Sequence, residues 1–436
     1  MSQAFPPGFL FGVATAAYQI EGAVGEDGRG PSIWDTFAHT PGRIKNGDTG
    51  DVACDHYHRY AEDVELISGL GAGAYRFSIG WPRLQPGGRG PVNPGGAAFY
   101  DRLVDALLAK GIAPYVTLYH WDLPQELEDA GGWMNRDTAE RFAEYAELAY
   151  GVLGDRVTSW ITLNEPFVTT SHGYALGVHA PGRTLMEAAF PVAHHQLLGH
   201  GLATRALTAA GATSVGITQN MAPCWPADPD SEADRAAAIR LDGLHNRTYA
   251  DPVLLGRYPD DLAGLYPGAD LDVIRPGDLE TIAAPIAFLG VNYYFPNRVR
   301  ATPDHPFGFE EMRVPGAPQT SFGWSVVPEA FTELLTSLRD RYPDLPPIYI
   351  TENGCAYPDE IHDERRIDYL RSHLGAVAAA VEQGVDIRGY FCWSLMDNFE
   401  WAEGYGQRFG LVNVDYATQD RTPRDSYRWY QQLIAQ

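Results

Sequence analysis

Positive charge is what this sequence most lacks. Its 32 lysines and arginines face 56 aspartates and glutamates, leaving a formal charge of −24. An acidic surface repels phosphate backbones and anionic membranes, so nucleic acid and membrane surfaces are disfavoured as partners. Cysteine is also scarce. Cys54, Cys224, Cys355 and Cys392 form no C-x-x-C pair, and their spacing suits neither a zinc ribbon nor a disulfide framework. They read as buried free thiols in a reducing compartment. No apolar run approaches the roughly 20 residues needed to cross a bilayer. The stretch PGFLFGVATAAYQ near the N-terminus is apolar, but no lysine or arginine precedes Arg29, so the charged start of a signal peptide is missing. It reads as a first strand, and the expected location is cytoplasmic. Low-complexity linkers and internal repeats are absent as well.

What is present is core-forming material. Of 436 residues, 45% are hydrophobic and 20% charged, which allows several domains or one large α/β barrel. The 10 Trp, 24 Tyr and 18 Phe suit a large core or stacking platforms for flat-faced ligands. Short apolar runs alternate with longer helical patterns. The runs are GFLFGVAT (8–15), AYRFSI (74–79), APYVTLYH (113–120), SWITLNE (159–165), SVGITQN (214–220), AFLGVNYY (287–294), PIYITEN (347–353) and RGYFCWSL (388–395). Near-continuous apolar strands separated by helices indicate a parallel sheet covered on both faces. Between them, FYDRLVDALLAKG (99–111) puts Leu103, Leu107 and Leu108 on one face and stops at Gly111, and AERFAEYAELAYGVLG (139–154) behaves alike. Eight strand–helix units predict an α/β fold, a single (β/α)8 TIM barrel domain spanning residues 1–436.

The strand ends carry the chemistry. WITLNEPF shows the pattern: Ile161 and Leu163 read as buried strand, Asn164 and Glu165 follow, and Pro166 stops the ladder. Other runs end in His120-Trp121-Asp122, Gln219-Asn220, Asn292-Tyr293-Tyr294, Glu352-Asn353 and Trp393-Ser394. The second contains Arg76, and the first is followed by Gln19 and Glu21. In a barrel these ends share one rim, the C-terminal face where active sites of this architecture lie.

Two carboxylates facing one pocket, Glu165 and Glu352, are the equipment for cleaving a glycosidic bond. One must be protonated to assist the leaving oxygen. The other must be ionised, to attack or to activate water, and the environment has to hold the two apart. Arg76 suits keeping one carboxylate ionised, with Tyr294 donating a hydrogen bond to the same group, which would then be the nucleophile. Its charge raises the proton affinity of the other. Gln19, His120, Asn164, Asn292 and Glu400 offer partners for hydroxyls, and Trp121, Trp393 and Trp401 offer flat apolar faces for a pyranose. His56/His58 and His194/His195 have spacings that do not put both imidazoles on one helical face, so no metal site is expected. GLGAG (69–73) lacks the phosphate-loop spacing and reads as a helix-to-strand turn. Cys355 reads as an inert thiol.

The chain resembles glycoside hydrolase family 1, the β-glucosidase family, over essentially its full length. The matching segments are FLFGVATAAYQIEGA (9–23), DVACDHYHRYAEDVELI (51–67), YRFSIGWPRLQP (75–86), VTLYHWDLPQ (116–125), TLNEP (162–166), GVNYY (290–294), YITENG (349–354) and WSLMDNFEWAEGYGQRFGLV (393–412). The resemblance implies a retaining β-glycosidase that needs no cofactor. It implies Glu165 as general acid/base and Glu352 as nucleophile, with carboxyls roughly 5–5.5 Å apart. It implies Gln19, His120, Trp121, Asn164, Glu400 and Trp401 as glycone readers, with Trp393 as the platform beneath the sugar. Arg76, Asn292 and Tyr294 would orient the nucleophile, and Trp324 would line the aglycone side. Phe167 stands where many members have Trp, which bears on the aglycone. Gly80 in place of Ser, and Cys355 after TENG, bear on packing.

The expected substrate is a small β-glucoside or cello-oligosaccharide, with β-galactosidase or β-fucosidase side activity. A 6-phospho-β-glucosidase is the alternative within the family, and Glu400 would repel its phosphate. A non-catalytic carbohydrate-binding protein is the alternative outside enzymes, and the presence of both glutamates speaks against it. The composition, rich in Ala, Gly and Arg, points to a GC-rich bacterium. Oligomeric state is left open.

Overall fold

In the computed structural model, which describes residues 5–436, eight parallel strands close into a barrel. They are β1 (Leu10–Ala14), β2 (Ala74–Ser78), β3 (Ala113–Tyr119), β4 (Ser159–Asn164), β5 (Ser214–Asn220), β6 (Phe288–Asn292), β7 (Ile348–Asn353) and β8 (Ile387–Trp393). Each pairs with its neighbour in the chain, and β8 returns to β1 through Leu10 opposite Gly389 to Ala14 opposite Trp393. All eight expected strands are present at their expected positions.

The connecting helices follow their local signals. Asn93 caps the helix Pro94–Ala109, whose proline occupies the first turn, where no intrahelical donor is needed. Its buried face carries Phe99, Tyr100, Leu103, Val104 and Leu107, whereas Leu108, expected on the same face, is exposed. Gly111 then takes φ +72°, the left-handed conformation that ends the run. The helix Asp137–Leu153 buries Phe142, Tyr145, Ala146, Ala149 and Leu153 in the same way. GLGAG is the expected turn: the helix His56–Leu70 ends there, Gly71 is left-handed, and β2 begins at Ala74.

Small residues and rings fill the barrel interior. Tyr115, Tyr349 and Phe391 meet with ring centroids 5.0–5.6 Å apart. Gly12 makes room for them, since a Cβ there would lie 2.5 Å from the Phe391 ring. Outside the strands, a three-stranded sheet (Cys224–Pro226, Asn297–Ala301, Phe309–Glu311) stands beyond the C-terminal ends of β5 and β6. Among the described residues, no helix is long and apolar enough to cross a membrane.

Candidate active site

β4 delivers Glu165 through a strained turn. Glu165 has φ +48°, in the left-handed region that a residue with a side chain enters at a cost, and Pro166 opens the next helix. Trp121 (φ +77°) and Trp401 (φ +48°) share that conformation. Non-glycine residues held in this way cost on the order of 1–3 kcal/mol each and cluster at functional sites. All three line one cavity.

Arg76 organises the floor. A guanidinium only donates, so its partners must accept. Nη1 reaches Glu352 Oε1 at 2.6 Å and Nη2 reaches Asn164 Oδ1 at 2.6 Å. Asn164 must therefore turn its Nδ2 to His120 Nε2, 3.1 Å away, which accepts. The His120 proton then sits on Nδ1, a buried atom without a partner among the described residues. Asn292 is oriented by the same logic. Its Nδ2 donates to Asn164 Oδ1 at 3.1 Å and to Glu165 Oε1 at 2.7 Å, while its Oδ1 accepts from Thr351. Gln19 spends its Nε2 on Asn398, Phe399 and Glu400, which leaves buried Oε1 free to accept.

The two carboxyls differ in their partners. Glu352 holds Arg76 on one oxygen and the Tyr294 hydroxyl, at 2.6 Å, on the other. Among the described residues, Glu165 has only neutral amides as partners, from Asn292 and Asn220. Burial pushes Glu165 up to about 8, and the charge of Glu352 adds to it. Burial raises Glu352 above the usual carboxylate value too, and Arg76 and Tyr294 pull it back. The sequence suggested that Arg76, with Tyr294, keeps one carboxylate ionised; both do hold Glu352, but desolvation is the larger effect, and the two partners fix which carboxyl ionises first. Glu400 is a third acid in the same space, pushed to about 8 by burial and by the other two. His120 stays neutral because burial, and then Arg76, hold it well below its ordinary value.

The cavity is about 450 Å³, a size that suits a small ligand. His120, Trp121, Glu165, Tyr294, Trp324, Glu352, Trp393, Glu400 and Trp401 line it directly. Arg76, Asn164, Asn292 and Gln19 lie behind it, hydrogen-bonded to residues that line it, so every expected site residue either lines the cavity or holds one that does. The rings form an aromatic wall: Trp121 and Trp401 have centroids 4.5 Å apart, and Trp324 stacks on Phe322 at 4.4 Å.

Not every polar strand end joins in. Side chains alternate across a regular strand, so some of these polar residues turn outward. Gln219 donates to Tyr249 O, Asn353 to Tyr293 O and Tyr293 to Val327 O, all behind the barrel. Glu21 is tied to Arg83 at 2.7 Å and to Tyr100. The histidine pairs are held individually: His56 by Asp63, His58 by Asp55 and Glu26, His194 by Asp278 and His195 by Trp133 O. Cys355 is buried with its thiol pushed up to about 12, and Cys224 is half-buried where full burial was expected.

Sequence reasoning flagged Phe167 and Trp324 on the outer wall but missed its other members. His172, His179, His245, Phe322 and Glu311 line the cavity from segments outside the barrel strands, and no local pattern marks them.

Comparison with known proteins agrees with this geometry. The family model for glycosyl hydrolase family 1 matches residues 1–436. The chain is similar to a bifunctional beta-D-glucosidase/beta-D-fucosidase from Bifidobacterium breve, 48% identical over 100% of this chain and 99% of that protein. Its structure is similar to a psychrophilic beta-glucosidase from Micrococcus antarcticus, with a TM-score of 0.97, 49% identity, and coverage of 100% and 98%. It is also similar to a beta-glucosidase from Thermotoga maritima in complex with deoxynojirimycin, with a TM-score of 0.93, 44% identity, and coverage of 99% and 98%. The chain belongs to glycosyl hydrolase family 1.

Proposed function

We propose that the protein is a retaining β-glucosidase acting, on one domain, on terminal β-D-glucosyl residues of cello-oligosaccharides and of aryl or alkyl glucosides. The observation that carries this is the unequal pairing of two buried carboxyls: Arg76 and Tyr294 on Glu352, and neutral amides alone on Glu165.

Glu352 is the nucleophile. Its carboxylate attacks C1 as the C1–O bond breaks, and Glu165 gives its proton to the departing oxygen. The products are the free aglycone alcohol and a glycosyl ester on Glu352. Glu165, now ionised, takes a proton from water, whose oxygen attacks C1 and returns the Glu352 carboxylate. Once Glu352 is esterified its charge is gone, and Glu165 loses the neighbour that held its proton affinity up. The pair thus switches its own acid into a base. His120 Nδ1–H and Gln19 Oε1 are a donor and an acceptor without protein partners, which suits adjacent sugar hydroxyls. Glu400 beside Gln19 suits the 4-hydroxyl in either orientation, which supports β-galactoside or β-fucoside side activity, in line with the bifunctional relative.

The test is a 2-deoxy-2-fluoro-β-glucoside with a good leaving group. Time-dependent inactivation, with the fluoroglucosyl group mapped by mass spectrometry to the peptide carrying Glu352, is expected. Label on another residue, or turnover without label, contradicts the assignment.

A further inference from the structure

Three side chains run outward from Glu165. Asn220, the last residue of β5, donates Nδ2 to Glu165 Oε1 at 3.3 Å and accepts on Oδ1 from His245 Nε2 at 2.8 Å. His245 Nδ1 faces Asn297 Nδ2 at 2.8 Å. The imidazole is 6% exposed and lies flat on Phe167, with ring centroids 4.1 Å apart and planes at 10°. Burial pushes its pKa down to about 4, with Asp242 drawing it up and His172 down, so the ring carries one proton. Because Nδ1 accepts from Asn297, that proton sits on Nε2. The Nε2–H then fixes the Asn220 amide, with its oxygen to the ring and its nitrogen to Glu165. Glu165 Oε1 therefore accepts two amide N–H bonds, from Asn220 and from Asn292 at 2.7 Å. An oxygen occupied in that way is the carbonyl oxygen of the neutral acid, and the hydroxyl is Oε2.

We propose that His245 is a positioning residue which, through Asn220, keeps the transferable proton of Glu165 on Oε2, the oxygen offered to the leaving group. This rests on the acid/base reading of Glu165. In glycosylation the proton passes from Oε2 to the glycosidic oxygen as the C1–O bond breaks. In deglycosylation the same oxygen takes a proton from water. Without the Nε2–H, the Asn220 amide is free to flip and offer its oxygen to Glu165, drawing the proton to Oε1 and out of reach of the substrate.

His245→Phe keeps a ring on Phe167 and removes both hydrogen bonds. His245→Gln restores an N–H near the place of Nε2. With the full chain, kcat/KM is measured on β-glucosides whose leaving groups range from 2,4-dinitrophenol, which needs little acid help, to phenol and methanol. His245→Phe is expected to lose about tenfold more on the phenyl and methyl glucosides than on the dinitrophenyl glucoside, with His245→Gln recovering most of it. An equal loss on all three, or no recovery by Gln, overturns the proposal. Glu165→Ala is run alongside. Leaving-group dependence in Glu165→Ala but not in His245→Phe overturns the positioning role alone, and its absence in both overturns the acid role as well. Should His245→Phe not fold, Asn297→Ala releases the tautomer from the far side, and the same selective loss is expected; a uniform loss overturns the proposal.

Discussion

Arg76 Nη1 lies 2.6 Å from Glu352 Oε1, and both side chains are almost wholly removed from solvent. Breaking a buried pair by removing one partner strands a charge. Arg76→Met is therefore expected to raise the Glu352 pKa further, moving the acidic limb of the kcat/KM–pH profile to higher pH. The rate at neutral pH should fall by about 10²–10³. Arg76→Lys keeps the charge but cannot reach Glu352 and Asn164 with one planar fork, so an intermediate loss is expected. Full pH profiles of the three proteins check this; an unmoved acidic limb in Arg76→Met contradicts it.

On the proposed mechanism, Glu165→Ala removes the acid and the base together. Turnover of substrates with poor leaving groups should drop by about 10²–10⁴, while the first step on dinitrophenyl glucoside survives. Added azide should rescue the second step and give β-glucosyl azide, detectable by mass spectrometry. No azide adduct would count against Glu165 as the base.

Glu400 shows how the site sets activity against stability. Its folded-state pKa, pushed to about 8, lies above its ordinary value of 4.5. A carboxyl with a raised folded pKa costs nothing at low pH, where both states hold the proton. It destabilises increasingly as pH climbs from 4.5 towards 8, where the unfolded chain releases the proton and the folded one keeps it. Glu400→Gln should therefore raise Tm more at pH 9 than at pH 5. It should also lower activity if, as proposed, Glu400 binds the sugar hydroxyls. Thermal melts at the two pH values check the sign, and an equal shift at both would show that Glu400 is not strained by its setting.

Gly12→Ala tests the barrel interior. The added methyl would meet the Phe391 ring at 2.5 Å and Ala74 O at 2.9 Å, with backbone on one side and a packed ring on the other. Overpacking of this kind costs about 1–3 kcal/mol, readable as a lower urea midpoint with an unchanged slope. An unchanged midpoint would mean that the ring cluster yields easily.

The barrel was legible because each strand is a short apolar run bounded by turn signals, and period and length suffice to count eight. The floor of the site was legible for the same reason: Asn164, Glu165, Asn292 and Glu352 sit at strand ends, so a strand assignment places them. Which member of a polar pair faces inward was less legible. Gln219 and Asn353 turn out to hold neighbouring loops. Bulges in β4 and β7 shift the alternation just where the catalytic candidates stand, and no residue pattern announces them. Of the outer wall, Phe167 and Trp324 were legible and the histidines were not. His172 and His245 come from π-helical turns, Thr169–Ala175 and Gly243–Arg247, and His179 from the segment after the first of them, and all three reach the cavity through tertiary packing. The left-handed turns at Trp121, Glu165 and Trp401 belong to residue types that rarely adopt them, so propensity argues against them.

The most direct test of the central claim is proton NMR of an aryl β-glucoside digest, recording which anomer of glucose appears before mutarotation. The two-step route through Glu352 predicts β-glucose first. α-Glucose first would mean that water attacks C1 directly from the far face, with Glu352 as its base, and the covalent intermediate would be wrong.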